Sequence, residues 1–247
     1  MFEVTVIGNG NVGTQLAMNI DALKDFKLKE WFGRSWKNKK IPKNGIDKIE
    51  NLKDADLFII AVSDSSIQNI SKLINKNHFL VHCSGATSIN VFNNHKRSGV
   101  LFPVQSITKD KNNIFEKTPF CIEAKKENDL NLLKKLVLSL KGRYKCLNST
   151  QRANVHLSAV WINNFVNHII YKGKKICDEN NVPYSIIKPL LINTINQVLT
   201  NDPFIIQTGP ARREDEITLK NHLNLMNNTD DKSLYLAITK SIKKSYE

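Results

Sequence analysis

At 247 residues, 41% hydrophobic and 24% charged, the chain is long enough to bury a substantial core and does not have the composition of a disordered polymer. No apolar run approaches the length of a membrane span, and no secretory leader precedes the first predicted strand, so neither a membrane nor an exported protein is expected. The net charge of +13 invites a nucleic-acid partner, but the lysines are spread along the chain without a recognised nucleic-acid motif, and none is expected.

The chain begins with a β-rich apolar run (Val4, Val6, Ile7) that enters Gly8-Asn9-Gly10-Asn11-Val12-Gly13 and then a helical pattern at Val12, Leu16, Ala17 and Ile20. Strand, glycine turn and helix in that order form the setting in which G-x-G-x-x-G binds a dinucleotide. Gly8 makes the turn, Gly10 lets backbone approach a pyrophosphate, and Gly13 lets the helix pack close to the strand. The unpaired N–H groups and dipole of the first helical turn attract the anion. A glycine turn without a ligand is the competing reading.

Lys27–Phe32 is predicted as the second strand, ending at Gly33-Arg34-Ser35. An acid at this position marks an NAD site, whereas Arg and hydroxyl groups suit the 2′-phosphate of NADP. Arg34 and Ser35, with Lys37–Lys40 and Lys43 nearby, therefore predict NADP(H); Glu30 counts weakly against this, sitting inside the strand a little early for the acidic role. An ordinary basic loop is the alternative.

Leu57–Val62 has the continuous apolar character of a strand covered on both faces. It ends in Val62-Ser63-Asp64-Ser65-Ser66, before a helical pattern at Ile67, Ile70, Leu73 and Ile74. Ser63 and Asp64 are expected at the ligand edge of the sheet, or as helix caps. His78–Cys83 and Gly99–Phe102 are further strands, ending in Ser84-Gly85-Ala86-Thr87 and Pro103-Val-Gln105-Ser106. Pro119–Ala124, a helix over 127–141 and a short strand over 144–147 complete an α/β half with a mainly parallel, doubly wound sheet. The four cysteines (Cys83, Cys121, Cys146, Cys177) have no zinc-type spacing; they are expected to be small buried residues in a reducing cytoplasm, with no metal site.

Beyond residue 148 strand signals vanish. Helices are predicted over roughly 150–179, 184–200, 214–227 and 230–245, giving domains of 1–148 and 149–247. On a wheel of about 100° per residue, His156, Asn163 and Asn167 fall within roughly 40° of one another, with Asn164 and His168 further round. Much of the remaining surface is apolar, which predicts a largely buried helix whose polar stripe faces another helix or a cofactor and substrate. Gln207-Thr-Gly-Pro-Ala-Arg212-Arg213 presents two guanidinium forks suited to an anion, or simply a basic loop paired with Glu214-Asp215-Glu216.

Gly8–Gly13, Ala61-Val-Ser-Asp64, His82-Cys-Ser-Gly85, Phe102-Pro-Val-Gln-Ser106, His156 through His168 and Gln207–Arg213 together resemble the Rossmann-like proteins with a DUF2520 C-terminal domain, a group placed with NADP- or coenzyme F420-linked oxidoreductases. The resemblance implies a helical domain similar to those of 6-phosphogluconate dehydrogenase and pyrroline-5-carboxylate reductase relatives, which forms a homodimer and closes the catalytic cleft. The Lys-x-x-x-Asn pair of the β-hydroxyacid dehydrogenases is replaced by His156 and Val160, so neither that lysine nor that substrate class carries over.

The expected activity is hydride transfer between NADP(H) and a small, anionic carbonyl or imine substrate. Gly8, Asn9, Gly10, Asn11, Val12, Gly13, Arg34, Ser35, Val62, Ser63, Asp64 and Ser84 are the expected cofactor residues. His156 is expected to carry the proton, imidazole being the side chain that exchanges protons near neutral pH, with His82 as second choice. Asn164 and Asn167 are expected to orient the reacting groups, and Gln105, Arg212 and Arg213 to bind substrate. The alternative is a non-catalytic NADP(H) sensor or partner-binding protein on the same scaffold.

Overall fold

β1 (Phe2–Ile7) lies near the centre of an eight-stranded sheet, flanked by β2 (Phe26–Phe32) and β4 (Leu57–Ile60). The computed structural model describes residues 1–33, 42, 44–109 and 114–247. Arg34, Ser35, Lys37–Lys40 and Lys43 lie outside the described residues, so the predicted 2′-phosphate site does too. The sheet continues with β3 (Gly45–Ile46), β5 (Phe79–His82), β6 (Arg97–Pro103), β7 (Pro119–Ala124) and β8 (Arg143–Cys146). Its order is β3-β2-β1-β4-β5-β6-β7-β8. Every neighbouring pair is parallel except β6 and β7. The first six strands thus have the 3-2-1-4-5-6 order of doubly wound dinucleotide folds, and the expected mainly parallel sheet is present. The two-residue β3 was not predicted, being too short to show any periodicity.

All four residues of β4 are buried, as are all four of β5, because helices cover both faces. One face packs on α1 (Asn11–Asp21) and α3 (Glu127–Ser139) through Leu16, Ile20, Leu133 and Leu136. The other face carries Ile7, Phe58 and Ile60 in one cluster with Ile67 of α2 (Asp64–Ser71) and Phe92 of the short helical turn Ile89–Phe92. This arrangement brings the ends of β1 and β4 together where the strand order reverses, the usual place for a ligand in an open α/β sheet.

The chain divides into two compact units, Met1–Asn164 and Phe165–Glu247. α4 (Ser149–Ala159) belongs to the first, and a π-helical stretch, Val160–Phe165, precedes α5 (Val166–Glu179). The predicted helix over 150–179 therefore contains a wider i→i+5 turn, and the even 100° wheel that aligned His156 with Asn163 and Asn167 does not hold across it. In the second unit, α6 (Lys188–Thr200), α7 (Glu216–Leu225) and α8 (Thr229–Tyr246) follow. Asp215 caps α7, accepting from the Thr218 N–H at 3.0 Å, and Asn228 caps α8. No helix among the described residues is long and apolar enough to cross a membrane.

Two expectations need correction. The polar-stripe helix is not largely buried: Asn163, Asn164, Asn167 and His168 are exposed, and Trp161 and Ile162 are 62% and 74% exposed. Among the described residues α6 and α8 likewise have no buried side chain. The cysteines are unpaired as expected, but Cys146 is exposed at the end of the edge strand β8.

Candidate active site

The glycine turn is held by backbone contacts. Gly8 has φ +123°, which favours glycine, and a Cβ there would lie 2.2 Å from the Ala61 carbonyl oxygen at the end of β4. A Cβ on Gly13 would lie 2.1 Å from the Gly8 oxygen, so α1 reaches the strand only because residue 13 has no side chain. Gly10 is different. Its backbone is extended (φ −71°, ψ −174°), a conformation any residue adopts, and a Cβ on it would meet no described residue within 4 Å. Neither backbone nor internal packing demands glycine at position 10. Its missing side chain leaves the turn open on that side.

That open side of Gly10 belongs to a cleft of about 780 Å³ over the carboxyl ends of β1, β4 and β5, within the usual range for small-molecule sites. Gly8, Asn9, Gly10, Asn11 and Val12 line it from the first turn, Val62, Ser63 and Asp64 from the second, Ser84 from the third, and His156 from α4. Gly13 lies beneath, in the packing described above. Gln105 does not line it; its side chain accepts from the Ser106 N–H. Asn164 is exposed and is not among the lining residues. Sequence reasoning did not assign Phe32, Ala61, Ser66, Asn69, Ile70, Cys83, Gly85 or Phe102, which also line the cleft. Gly85 and Phe102 stand in the strand-end motifs already singled out, but nothing in their spacing ties them to His156.

Asp64, at the first position of α2, accepts a hydrogen bond from the Ser84 hydroxyl at 2.8 Å. The Ser84 oxygen in turn accepts from the Ala86 and Thr87 N–H groups at 3.2 and 2.9 Å. One hydroxyl thus joins the ends of β4 and β5 and shapes the loop carrying Gly85. Ser63 precedes α2 without capping it through its side chain and instead pairs with the Ser66 hydroxyl. Asp64 is the only carboxylate among the described lining residues, and no lysine or arginine is among them. Glu30 is accounted for elsewhere: it is buried and accepts from the Lys53 N–H at 2.8 Å.

His156 is held between Gly85 and Phe102. A Cβ on Gly85 would lie 2.8 Å from the His156 side chain, and the Phe102 and His156 rings meet edge-on with centroids 5.7 Å apart. One helical turn earlier, the fully buried Arg152 pairs with Glu123 of β7 and donates to the Thr87 carbonyl. Ser149 donates to the same carboxylate at 2.9 Å, and Asn148 and Gln151 form a capping box. These bonds seat the start of α4 on β7 and on the loop that bears Gly85, and so determine where His156 enters the cleft.

His82 does not serve as the second-choice proton donor. It is fully buried, it is not part of the cleft lining, and its Nδ1 accepts from the Ser84 N–H at 3.2 Å. Burial, and then the nearby Arg152 guanidinium, push its pKa down to about 3. Desolvation pushes the Cys83 thiol in the cleft wall up to about 12, so it stays protonated and is no nucleophile at neutral pH.

The remaining candidates lie in the second unit. Asn167 is exposed on α5. Arg212 stacks on Tyr246 at 4.2 Å, Phe204 stacks on the same ring at 4.4 Å, and the Tyr246 hydroxyl donates to the Phe204 carbonyl. Arg213 is exposed and helps to lower the pKa of Asp215, behind the larger effect of the Thr218 hydrogen bonds. Among the described residues no ion pair joins Arg212 or Arg213 to Glu214, Asp215 or Glu216.

Residues 118–242 match the model of a family described as a domain of unknown function, DUF2520. The chain belongs to that family. Among solved structures it is similar to a Bacteroides fragilis protein provisionally designated an NADP oxidoreductase, with 28% identity, 98% of each chain covered and a TM-score of 0.86. It is also similar to an Aspergillus terreus reductive aminase in complex with NADPH and ethyl-5-oxohexanoate, with 11% identity, 99% and 93% coverage and a TM-score of 0.72. A Plasmodium falciparum pyrroline carboxylate reductase with NADP bound matches with 15% identity, 100% and 98% coverage and a TM-score of 0.59. The last two likenesses establish a shared fold. A search of the curated proteins found no match.

Two measurements test this geometry. Arg152→Met leaves Glu123 without its partner and is expected to cost about 3–5 kcal/mol in urea unfolding, much of it recovered in the double variant with Glu123→Leu; a loss under about 1 kcal/mol would contradict the buried pair. His82 is depressed from 6.5 to about 3 in the folded chain. Below pH 6.5 the unfolded chain therefore takes up a proton that the folded chain refuses. Stability is expected to fall between those two values at up to about 1.4 kcal/mol per pH unit, and to be indifferent to His82 at higher pH. His82→Gln should flatten that slope, and an unchanged slope would contradict a buried neutral imidazole.

Proposed function

We propose that the chain is an NADP(H)-dependent oxidoreductase that moves hydride to or from a small carbonyl or imine substrate carrying an anionic group. The observation that carries this reading is Gly10, whose missing side chain leaves the N-terminus of α1 open to the cleft. The likeness to the Bacteroides fragilis protein supports the same class.

In this reading the cofactor supplies the hydride chemistry. The N–H groups of the 9–13 turn and the dipole of α1 bind the pyrophosphate. Arg34 and Ser35 are assigned to the 2′-phosphate by their position after β2. Asp64, steadied by Ser84, accepts from ribose hydroxyls, with Ser63 and Val62 beside it. His156, held by Gly85 and Phe102, gives or takes the proton that accompanies hydride transfer. Asn164 and Asn167 are assigned to orient the reacting groups, and Gln105, Arg212 and Arg213 to bind substrate. Arg212 suits an anion because Tyr246 holds its guanidinium face while its N–H edge remains available. The helical half, 149–247 in this division, is assigned to dimerisation and substrate binding; the exposed apolar side chains of α6, among them Leu190 and Ile192, support a homodimer. Four unpaired cysteines suit a reducing cytoplasmic setting.

Calorimetric titration is expected to show NADPH binding at least about tenfold tighter than NADH, with the preference lost in Arg34→Ala. With an accepted carbonyl or imine, His156→Ala should lower turnover about 10²–10⁴-fold while leaving the NADPH dissociation constant unchanged. Full turnover in that variant would remove the proton role. Tight binding with no turnover for any carbonyl, imine or flavin acceptor would leave a nucleotide sensor instead.

A further inference from the structure

The glycine turn has an anchor that the binding motif does not contain. Trp31, opposite Val6 in the β1–β2 register, packs into the core beneath α1, and its indole Nε1–H donates to the Gly8 carbonyl at 2.9 Å. That carbonyl belongs to the peptide joining the positive-φ residue Gly8 to Asn9. The Gly8–Asn9 peptide is trans and planar, so that fixing its C=O fixes its N–H as well. The bond from Trp31 to the Gly8 oxygen therefore fixes the plane of the Gly8–Asn9 peptide, in the turn where Asn9 and Gly10 line the cleft. The same oxygen is the atom against which Gly13 packs, so the indole also settles how closely α1 approaches the turn.

Phe, Leu or Ile at position 31 would also be apolar among the buried residues Val4, Val6, Leu16 and Ile20, but would bring no N–H to the Gly8 carbonyl. The indole adds a donor placed on a carbonyl of the binding turn.

We propose that Trp31 is a positioning residue for pyrophosphate binding: its indole N–H, bonded to the Gly8 carbonyl, fixes the path of the glycine turn and its distance from α1, and with them the place of the helix N-terminus that meets the anion. The proposal rests on the nucleotide reading above. It predicts pre-organisation, so that losing the donor costs affinity through the phosphates and leaves the rest of the fold in place.

The test is Trp31→Phe, which keeps an aromatic ring and removes the N–H. Binding is measured by calorimetry with NADPH, and with adenosine 2′-monophosphate, which carries the 2′-phosphate but no pyrophosphate. The NADPH dissociation constant is expected to rise about tenfold, the adenosine 2′-monophosphate constant to stay within about twofold, and the melting temperature to change by only a few degrees. Unchanged NADPH affinity, or an equal loss for both ligands, would overturn the positioning role. Should the variant fail to fold, the wild-type chain serves. The Trp31 indole proton, assigned by replacing the other two tryptophans, should be protected from hydrogen exchange and more so with NADPH bound; an unprotected proton would overturn the proposal. If the wild-type chain binds neither NADPH nor NADH, the nucleotide reading falls and this inference with it. If the wild type binds and Trp31→Phe binds as well, only the inference falls.

Discussion

Backbone runs against backbone where β1 ends, and much of the first unit is arranged to allow it. Gly8 passes so close to the Ala61 carbonyl that any side chain would overlap it, and α1 lies so close to Gly8 that residue 13 has no room for one either. These contacts bring the ends of β1 and β4 together at the point where strand order reverses, and they open the cleft with helix N-termini facing into it. α1 and α2 both begin there, each presenting its positive dipole end to the same space. Two helix N-termini at one cleft follow from topology and two close approaches, before any charged side chain is involved.

The second determinant is the buried pair between Arg152 and Glu123. Such pairs contribute little net stability, but this one fixes direction. It ties α4 to the antiparallel extension of the sheet and to the Ser84–Thr87 loop, so that His156 arrives beside Gly85 and Phe102 rather than elsewhere on the helix. Its charge also separates the two candidate histidines. The imidazole of His82 is kept neutral by burial and by the guanidinium, leaving His156 as the one in the cleft.

The features legible in the sequence were those with a local signature. The glycine turn, the continuous apolar runs of β4 and β5 and the change to helical periodicity after residue 148 each follow from spacing, and the structure contains all of them. β3 was invisible because two residues carry no period. The even wheel of the long helix failed at Val160–Phe165, since a π turn leaves no mark in hydrophobic spacing. The exposure of Trp161 and Ile162 was missed because apolar periodicity reports that a face is to be covered, not what covers it. Gly85 and Phe102 were quoted as strand-end residues, yet their joint hold on His156 depends on three distant segments meeting, which spacing along one segment does not encode. The Trp31 anchor likewise joins the second strand to the first turn across 23 positions.

The central claim is that the turn at Gly8–Gly13 exists to hold a pyrophosphate, and Gly10 allows the most direct measurement. Its extended backbone accepts a β-branched residue, and a Cβ there touches no described residue. Gly10→Val is therefore expected to melt within a few degrees of the wild-type chain while its affinity for NADPH falls at least about a hundredfold, measured by calorimetric titration of both proteins under one set of conditions. Wild-type binding that survives the substitution would mean that the nucleotide, if it binds, lies elsewhere, and the account of this turn would be wrong.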